Sequence, residues 1–243
     1  MKLVLTVALI LLLPSALATQ TAASSGAIIP ISLDTSLDAR RSHAGHEFRS
    51  TVMQDVPGTP IKRRAKLLGH VLKAGPGVSG TTVIEIGFDT VTYHGHSISI
   101  KASLRALASF MEVEAAQVPE EGASRGITPE VATTQQIGGE QVYRGGGPVA
   151  DGGTTVGRPV PYGVLALPRA NSEGRCRGVV GENKQPQAFW LFSSDACGVY
   201  GFPNIRVQHA GRTDPRAIIT LSSEKGQLKL SSGTAMLLRV LGP

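Results

Sequence analysis

The chain has 243 residues, of which 29 are Gly and 15 are Pro. These two residue types make up about 18% of the sequence, against roughly 12% in an average protein, and both are unfavourable in helix interiors. Long helical bundles and coiled coils are therefore excluded. Charged residues account for 17% and hydrophobic residues for 41% of the chain, a balance that excludes wholesale disorder. The formal net charge of +6 is mildly basic.

The N-terminus has the three-part pattern of a secretory signal peptide. Met1-Lys2 gives a positive start, residues 3–13 are almost wholly apolar, and Ala16-Leu17-Ala18 supplies small residues before a cleavage point at Thr19. An apolar run of about 11 residues is too short to span a bilayer, which takes roughly 20. We therefore expect an exported protein, periplasmic or extracellular, with outer-membrane association left open and with no transmembrane segment after cleavage.

The first part of the mature chain has the pattern of short β-strands. Residues 19–27 form a small, polar leader. Branched or alternating apolar segments bounded by Gly, Pro or Asp then predict strands at 28–33, 48–53, 67–72, 82–88 and 96–102. The His94-Gly95 dipeptide predicts a hairpin turn before the last of these. Residues 103–116 fit either a helix, with apolar residues at helical spacing, or an extension of the preceding strand. Residues 28–114 are predicted to form an antiparallel barrel or sandwich.

The second part of the chain begins with a linker and then returns to β patterns. Residues 115–162 are rich in Gly and Pro and poor in large apolar side chains, which predicts a loop or linker. Further strands are predicted at 163–167, 188–192, 204–207, 217–221, 227–230 and 236–240. The fold class is therefore all-β throughout. Residues 163–226 form either an insertion or a second small β domain, and residues 227–243 carry a C-terminal strand.

The chain has two cysteines, Cys176 and Cys197. In an oxidising compartment, an isolated pair of this kind usually forms a disulfide. Closing a loop of about 20 residues would stabilise the fold by about 3 kcal/mol. A metal site would need further ligands between them, and a catalytic thiol would leave the second cysteine without a role, so we predict a disulfide.

Five aromatic side chains gather near the second cysteine and form a candidate binding face: Phe189, Trp190, Phe192, Tyr200 and Phe202. Aromatic side chains anchor ligands and partners at interfaces. The alternative is a small core that packs against the disulfide, and the sequence favours this alternative.

Metal, cofactor and catalytic patterns are weak in this sequence. His94 and His96 are one residue apart at a strand start, which makes them the first candidates for a metal pair, although solvated loop histidines are common. The Gly75 to Gly80 segment matches the spacing of a nucleotide-binding loop, but a strand follows it where a helix is needed, so we interpret it as a hairpin loop. We predict no cofactor, no resident metal and no catalytic residue.

A basic cluster lies at Lys62-Arg63-Arg64-Ala65-Lys66. Basic clusters bind nucleic acid or anionic lipid, or simply form a solvated turn. An exported protein rarely meets nucleic acid, and no aromatic residues interleave with this cluster. The sequence favours a solvated turn or strand end, with no nucleic-acid partner.

Several motifs between residues 28 and 104 resemble those of one known family. The motif positions are Gly45, Leu67-Leu68-Gly69, Ile84, Ile86, Phe88, Gly95, Ile98 and Ile100. The segment is similar to the β-barrel domain of the TrbI-like proteins, which form the outer-membrane core of conjugation and type IV secretion machines. One departure is Ile61-Lys62-Arg63-Arg64-Ala65, where the family has an Ile-Pro-x-Gly turn. Residues 28–104 also resemble a set of exported acidobacterial proteins with the same strand pattern.

The resemblance extends to the C-terminus. Residues 228–240 are similar to the strand that closes the family's barrel. The resemblance therefore implies that residues 227–241 return to the first β region and that residues 115–226 are inserted between them.

These features together predict a non-enzymatic β protein of the bacterial envelope with a structural or interaction role. Envelope proteins or further copies of the chain are the expected partners. The alternatives are a hydrolase that acts on the cell wall and a ligand-binding module that uses the aromatic cluster.

Overall fold

The computed structural model describes residues 25–117, 189–192, 196, 198–208, 217–224 and 226–242, together with Ile137 and the backbone of short strands between residues 133 and 166. The predicted signal peptide and the predicted Cys176–Cys197 disulfide lie outside the described residues. Among the described residues, one α-helix, α1, spans Phe110–Gln117.

The strands are short and follow one another closely. Those before the helix are β1 Ile28–Leu33, β2 Leu37–Asp38, β3 Glu47–Val52, β4 Lys66–Pro76, β5 Thr82–Tyr93, β6 His96–Ser99 and β7 Lys101–Ala108. Those in the middle of the chain are β8 Thr133–Gln135, β9 Gln141–Tyr143, β10 Ala150–Asp151, β11 Thr154–Thr155, β12 Gly157–Val160 and β13 Gly163–Ala166. The C-terminal strands are β14 Gly198–Tyr200, β15 Ile205–Gln208, β16 Ile219–Ser223, β17 Lys229–Leu230 and β18 Ala235–Gly242.

A ten-stranded sheet forms the main body of the protein. Its order is β14-β7-β18-β1-β3-β4-β5-β16-β15, and β6 pairs with β5 beside β16. Every pairing in it is antiparallel except that of β14 with β7. The all-β prediction is confirmed, and the sheet stays open rather than closing into a barrel. Smaller sheets pair β12-β13-β9-β8, β10 with β11, and β17 with β2.

The C-terminal strand lies in the middle of this sheet. β18 pairs with β1, with Met236 opposite Ile31, and on its other side with β7, with Met236 opposite Leu107. The contacts expected between residues 236–240 and the first β region are therefore present. Strands from residues 198–223 also join the same sheet, since Ile219 of β16 lies opposite Ile86 of β5.

Strands β7 and β18 are buried on both faces, because apolar residues pack on each side of the sheet. Leu104, Leu107 and Leu238 belong to the main core, whereas Ala106 and Leu237 belong to a second apolar cluster on the opposite face. The full membership of this outer cluster is Ala106, Ala108, Val113, Ala116, Ile137, Phe189, Leu191, Phe192, Ala196, Ala235 and Leu237. A strand covered on both faces is nearly continuous in apolar residues rather than alternating, as β18 is, with Arg239 as its one charged residue.

Residues 103–116 contain both of the structures that the sequence allowed. β7 continues to Ala108, and α1 begins at Phe110. Ser109 separates them: its hydroxyl oxygen accepts a hydrogen bond from the backbone N–H of Glu112 at 3.3 Å, and its own N–H donates to the Tyr200 carbonyl at 3.0 Å. Ser and Glu at this spacing form the capping-box pattern of a helix start. Val113 and Ala116 then cover the outer cluster.

The predicted strand at 188–192 is wrong. Phe189 and Phe192 exchange two backbone hydrogen bonds of 2.9 Å, so the chain reverses between them, and Trp190 has a φ of 55°. A continuous run of large apolar residues fits a buried strand by pattern alone, but here its ends fold back to bury Phe189 and Phe192 against one side of β7 and β18.

Gly69 allows two aromatic side chains of the main core to meet. Phe48 and Phe88 lie edge to face with ring centroids 5.4 Å apart, and Gly69 lies opposite Phe48 on β3 and opposite Phe88 on β5. A Cβ atom on Gly69 would lie 2.6 Å from Phe48 Cζ and 2.5 Å from the carbonyl oxygen of Gly87. The aromatic pair therefore occupies the space that any other side chain would need.

We expect Gly69→Ala to destabilise the protein by about 1–3 kcal/mol, the usual cost of overpacking a core. Gly87→Ala is the matched control on the neighbouring strand, because its Cβ would meet only His70 Cε1 at 3.7 Å and Leu72 Cδ1 at 3.8 Å. Urea unfolding of both variants measures the difference. Equal stabilities for the two variants would contradict this account of Gly69.

Candidate functional site

The candidate aromatic face is divided between the interior and the surface. Phe192 is fully buried and Phe189 is buried, both in the outer cluster, whereas Trp190 and Tyr200 are half-buried against it. Phe202 is half-buried against the main core, on a different apolar cluster. The five side chains do not therefore present one continuous aromatic surface.

The histidines proposed as a weak metal pair lie at a hairpin turn. His94 occupies the turn with a φ of 46°, as the His94-Gly95 signal predicts, and its ring lies 4.1 Å from that of Tyr93. His96 is exposed at the start of β6, directly opposite Tyr93. Within the described part of the chain, no group of three or more His, Cys, Asp and Glu residues is arranged to hold a metal ion.

A His–Asp pair that the sequence did not suggest joins β4 to β5. His70 Nδ1 lies 2.8 Å from Asp89 Oδ2, and both side chains are partly exposed. Glu47 on β3 lies opposite His70 in the strand register. A carboxylate beside Nδ1 fixes the orientation of an imidazole and leaves Nε2 as its second polar atom. The pair fastens the two longest strands together on the polar face of the sheet.

A β-bulge brings Asp89 to His70. Leu68 pairs with Thr90 and Gly69 pairs with Phe88, so Asp89 is an extra residue on β5. A second register shift lies between Val71 and Lys73 on β4. Bulges re-aim side chains and strengthen the local twist of a strand, and here the extra residue is the one whose carboxylate contacts the histidine.

The basic cluster forms an exposed turn that is held firmly by its backbone. The Arg64 N–H donates to the Val52 carbonyl at 2.8 Å, and the Ala65 N–H donates to the Lys62 carbonyl at 3.0 Å. Ala65 is buried, whereas Lys62, Arg63 and Arg64 are exposed. The turn that the sequence favoured is therefore present, and the backbone fixes the positions of its three cations.

Two carboxylates offset part of this positive charge. Asp55 accepts a hydrogen bond from the Arg63 backbone N–H at 2.8 Å and lies 3.6 Å from the Lys62 ammonium group. These contacts, with the Arg63 N–H as the largest contribution and the charges of Lys62 and Arg63 adding to it, hold the pKa of Asp55 below its ordinary value. Lys66 pairs with Asp34 at 2.9 Å. Among the described residues, neither Arg63 nor Arg64 forms an ion pair within 4 Å.

Trp190 is connected to this same loop. Its backbone N–H donates to Gln54 Oε1, the side chain that precedes Asp55. The backbone of the Phe189–Phe192 turn is therefore tied to the loop that carries the basic residues, while the indole itself is half-buried against the outer cluster. Sequence reasoning placed Trp190 in an aromatic cluster and the basic residues in a separate turn, because a contact between residues 136 positions apart leaves no local pattern.

Arg64 has a φ of 71°, in the left-handed region. A residue other than Gly costs about 1–2 kcal/mol there, and a β-branched side chain costs more than an unbranched one. We expect Arg64→Val to destabilise the protein by about 1–2 kcal/mol and Arg64→Gly to leave stability unchanged or raise it slightly. Arg63→Val is the control, because this substitution removes the same charge from the same turn at a residue whose φ is not positive. Thermal unfolding that ranks Arg64→Gly below Arg64→Val would contradict this assignment.

Asp55 should titrate below an ordinary aspartate. Because its folded-state pKa lies below the unfolded value, its contacts stabilise the fold above the unfolded pKa, and this contribution is lost as the pH falls through the folded pKa. An NMR titration of the carboxyl group measures the shift. Lys62→Gln should raise the pKa only part of the way, because the Arg63 N–H remains; complete recovery of the ordinary value would show that the lysine charge alone is responsible.

No family model, curated protein or solved structure matches the chain. The TrbI-like resemblance therefore remains a hypothesis based on the motifs quoted above. No helix in the described residues is long and apolar enough to cross a membrane.

Proposed function

We propose that the protein is an exported, non-enzymatic component of the bacterial envelope with a structural or interaction role. The N-terminal signal pattern supports the location. The observation that carries the proposal is the pairing of β18 with β1, from Ile28–Arg239 to Ser32–Ala235. This pairing joins the two segments that resemble the TrbI-like barrel domain into one sheet.

The outer surface of this sheet favours an interaction role. Its polar side chains are tied to one another across neighbouring strands: Lys66 and Thr51 both contact Asp34, and Thr92 Oγ1 lies 3.0 Å from Ser97 Oγ. Such side chains are held in place before a partner arrives, so less conformational entropy is lost on association. The hydrolase alternative would need converging acidic or histidine side chains, and His70 with Asp89 is the one histidine–carboxylate pair within 4 Å among the described residues.

Export is tested by the N-terminus of the protein in its own cells. We expect mass spectrometry of the envelope fraction to find a chain that begins at Thr19. Leu11→Arg places a charge inside the apolar run and should cause uncut precursor to accumulate, whereas Leu11→Ala preserves the run and should be processed. A chain that retains Met1 and fractionates with the cytoplasm would overturn the proposed location.

Crosslinking in intact cells then identifies the envelope partner, and recovery of the monomer alone would count against an interaction role.

A further inference from the structure

The surface formed by the 53–65 loop and Trp190, here called the basic loop surface, has three properties that single it out. It carries the densest positive charge in the chain, at Lys62, Arg63 and Arg64. Two of its residues, Arg64 and Trp190, have positive φ angles although neither is Gly. Its members come from distant parts of the sequence and meet through Gln54.

The charges of this surface are only partly neutralised within the molecule. Asp55 is the carboxylate of the loop, and it contacts the Lys62 ammonium group and the backbone of Arg63. The two guanidinium groups form no ion pair with a described residue. Adjacent exposed cations repel each other, and an external anion that approaches the surface lowers this electrostatic repulsion.

The conformation of the turn adds an independent argument. Arg64 is fixed in the left-handed region by its N–H bond to the Val52 carbonyl, a position that Gly or Asn would occupy at lower conformational cost. Strained residues of this kind cluster at functional sites, where the surrounding structure holds them. The turn itself would be more stable with Gly at position 64. The presence of Arg there is therefore better explained by a contact that its side chain makes.

Trp190 gives the surface an amphipathic member. Its indole is half-buried against the outer cluster, and its backbone is anchored to the loop by Gln54. Tryptophan favours the boundary between headgroups and hydrocarbon, because its ring is apolar and its N–H is polar. The guanidinium groups and the indole belong to one loop and to a turn that Gln54 ties to that loop, a combination that fits a surface offering phosphates and an apolar layer together.

We propose that the basic loop surface binds the phosphate-bearing headgroup layer of an anionic membrane. A single phosphate ion is held by donors that converge on it, whereas these side chains are exposed and adjacent along one turn. A planar array of headgroups satisfies that arrangement. The binding step rests only on these residues, and the proposed envelope location supplies its biological setting.

Cosedimentation of the purified exported protein with lipid vesicles tests the proposal. Vesicles that contain phosphatidylglycerol in phosphatidylcholine should bind the protein, pure phosphatidylcholine vesicles should not, and high salt should reverse the binding. The double variant Arg63→Gln/Arg64→Gln should bind about 25-fold more weakly, at about fivefold for each cation. The double variant Arg40→Gln/Arg41→Gln is the matched control, since it removes an equal charge from an adjacent, exposed arginine pair in another turn.

Trp190 provides a second readout, because it is the protein's single tryptophan. Its emission should shift to shorter wavelength with anionic vesicles and stay unchanged with neutral ones.

Equal weakening by the two double variants would overturn the proposal in favour of a non-specific charge effect. Competition by inorganic phosphate would assign a discrete phosphate site instead, and absence of vesicle binding would leave an acidic protein as the partner. Vesicle binding does not depend on export, so its failure is separate from failure of the proposed location.

Discussion

The pairing of the last strand with the first is the interaction on which the rest of the structure depends. β18 lies between β1 and β7, and backbone bonds close both ends of its ladder with β1: Gly26 N–H to Val240 at 2.8 Å, and Leu33 N–H to Thr234 at 2.9 Å. From Ala235 to Leu238 its side chains are fully buried. Each large apolar side chain buried in this way contributes about 1.5–3 kcal/mol, so β1 and β18, the first and last described strands, meet in a fully buried part of the sheet.

Burial on both faces requires local adjustments in these central strands. A regular strand sends alternate side chains to opposite faces, which would put Leu104 and Leu107 on different sides. The register between β7 and β18 shifts between Leu237 and Leu238, so that Arg105 is an extra residue, and both leucines then reach the main core. Arg105 is itself buried, and its Nε–H donates to the Ala196 carbonyl at 3.1 Å. The bulge therefore fills the core and ties β7 to the segment that leads into β14.

Much of the strand content could be predicted from the sequence, because period-two patterns and turn residues are local. The prediction for 28–33 coincides with β1, and the Gly75 to Gly80 segment is the turn between β4 and β5, as expected. The partners of these strands are set by long-range contacts instead. A regular hairpin that pairs Pro76 with Thr82 would place His70 opposite residue 88. The two register shifts between β4 and β5 place His70 opposite Gly87 instead, and Asp89 Oδ2 then lies 2.8 Å from His70 Nδ1. Bulges have no simple sequence signature, so this pair could not be foreseen.

The helix could have been found from a local signal. Ser109 and Glu112 have capping-box spacing, but the apolar residues before them also fit a strand, and the two patterns overlap in one segment. The turn at Phe189–Phe192 is different, because its cause is the outer cluster, which draws residues from β7, β18 and α1. A run of four large apolar residues, three of them aromatic, has the pattern of a strand until the surface that buries its ends is known.

Long-range contacts also set the backbone conformations of two residues with strained positive φ angles, Arg64 and Trp190. The backbone conformation of Arg64 is set by Val52 at the end of β3, and Trp190 lies in a turn whose ends are buried against β7 and β18. Neither residue suits its own conformation, so local preference did not select Arg or Trp at these positions. What they share is the 53–65 loop, which contains Arg64 and which Gln54 ties to the Trp190 backbone. A strained arginine in the turn and a half-buried tryptophan whose backbone is tied to the same loop by Gln54 are accounted for together by contact with an anionic surface that has an apolar layer beneath it.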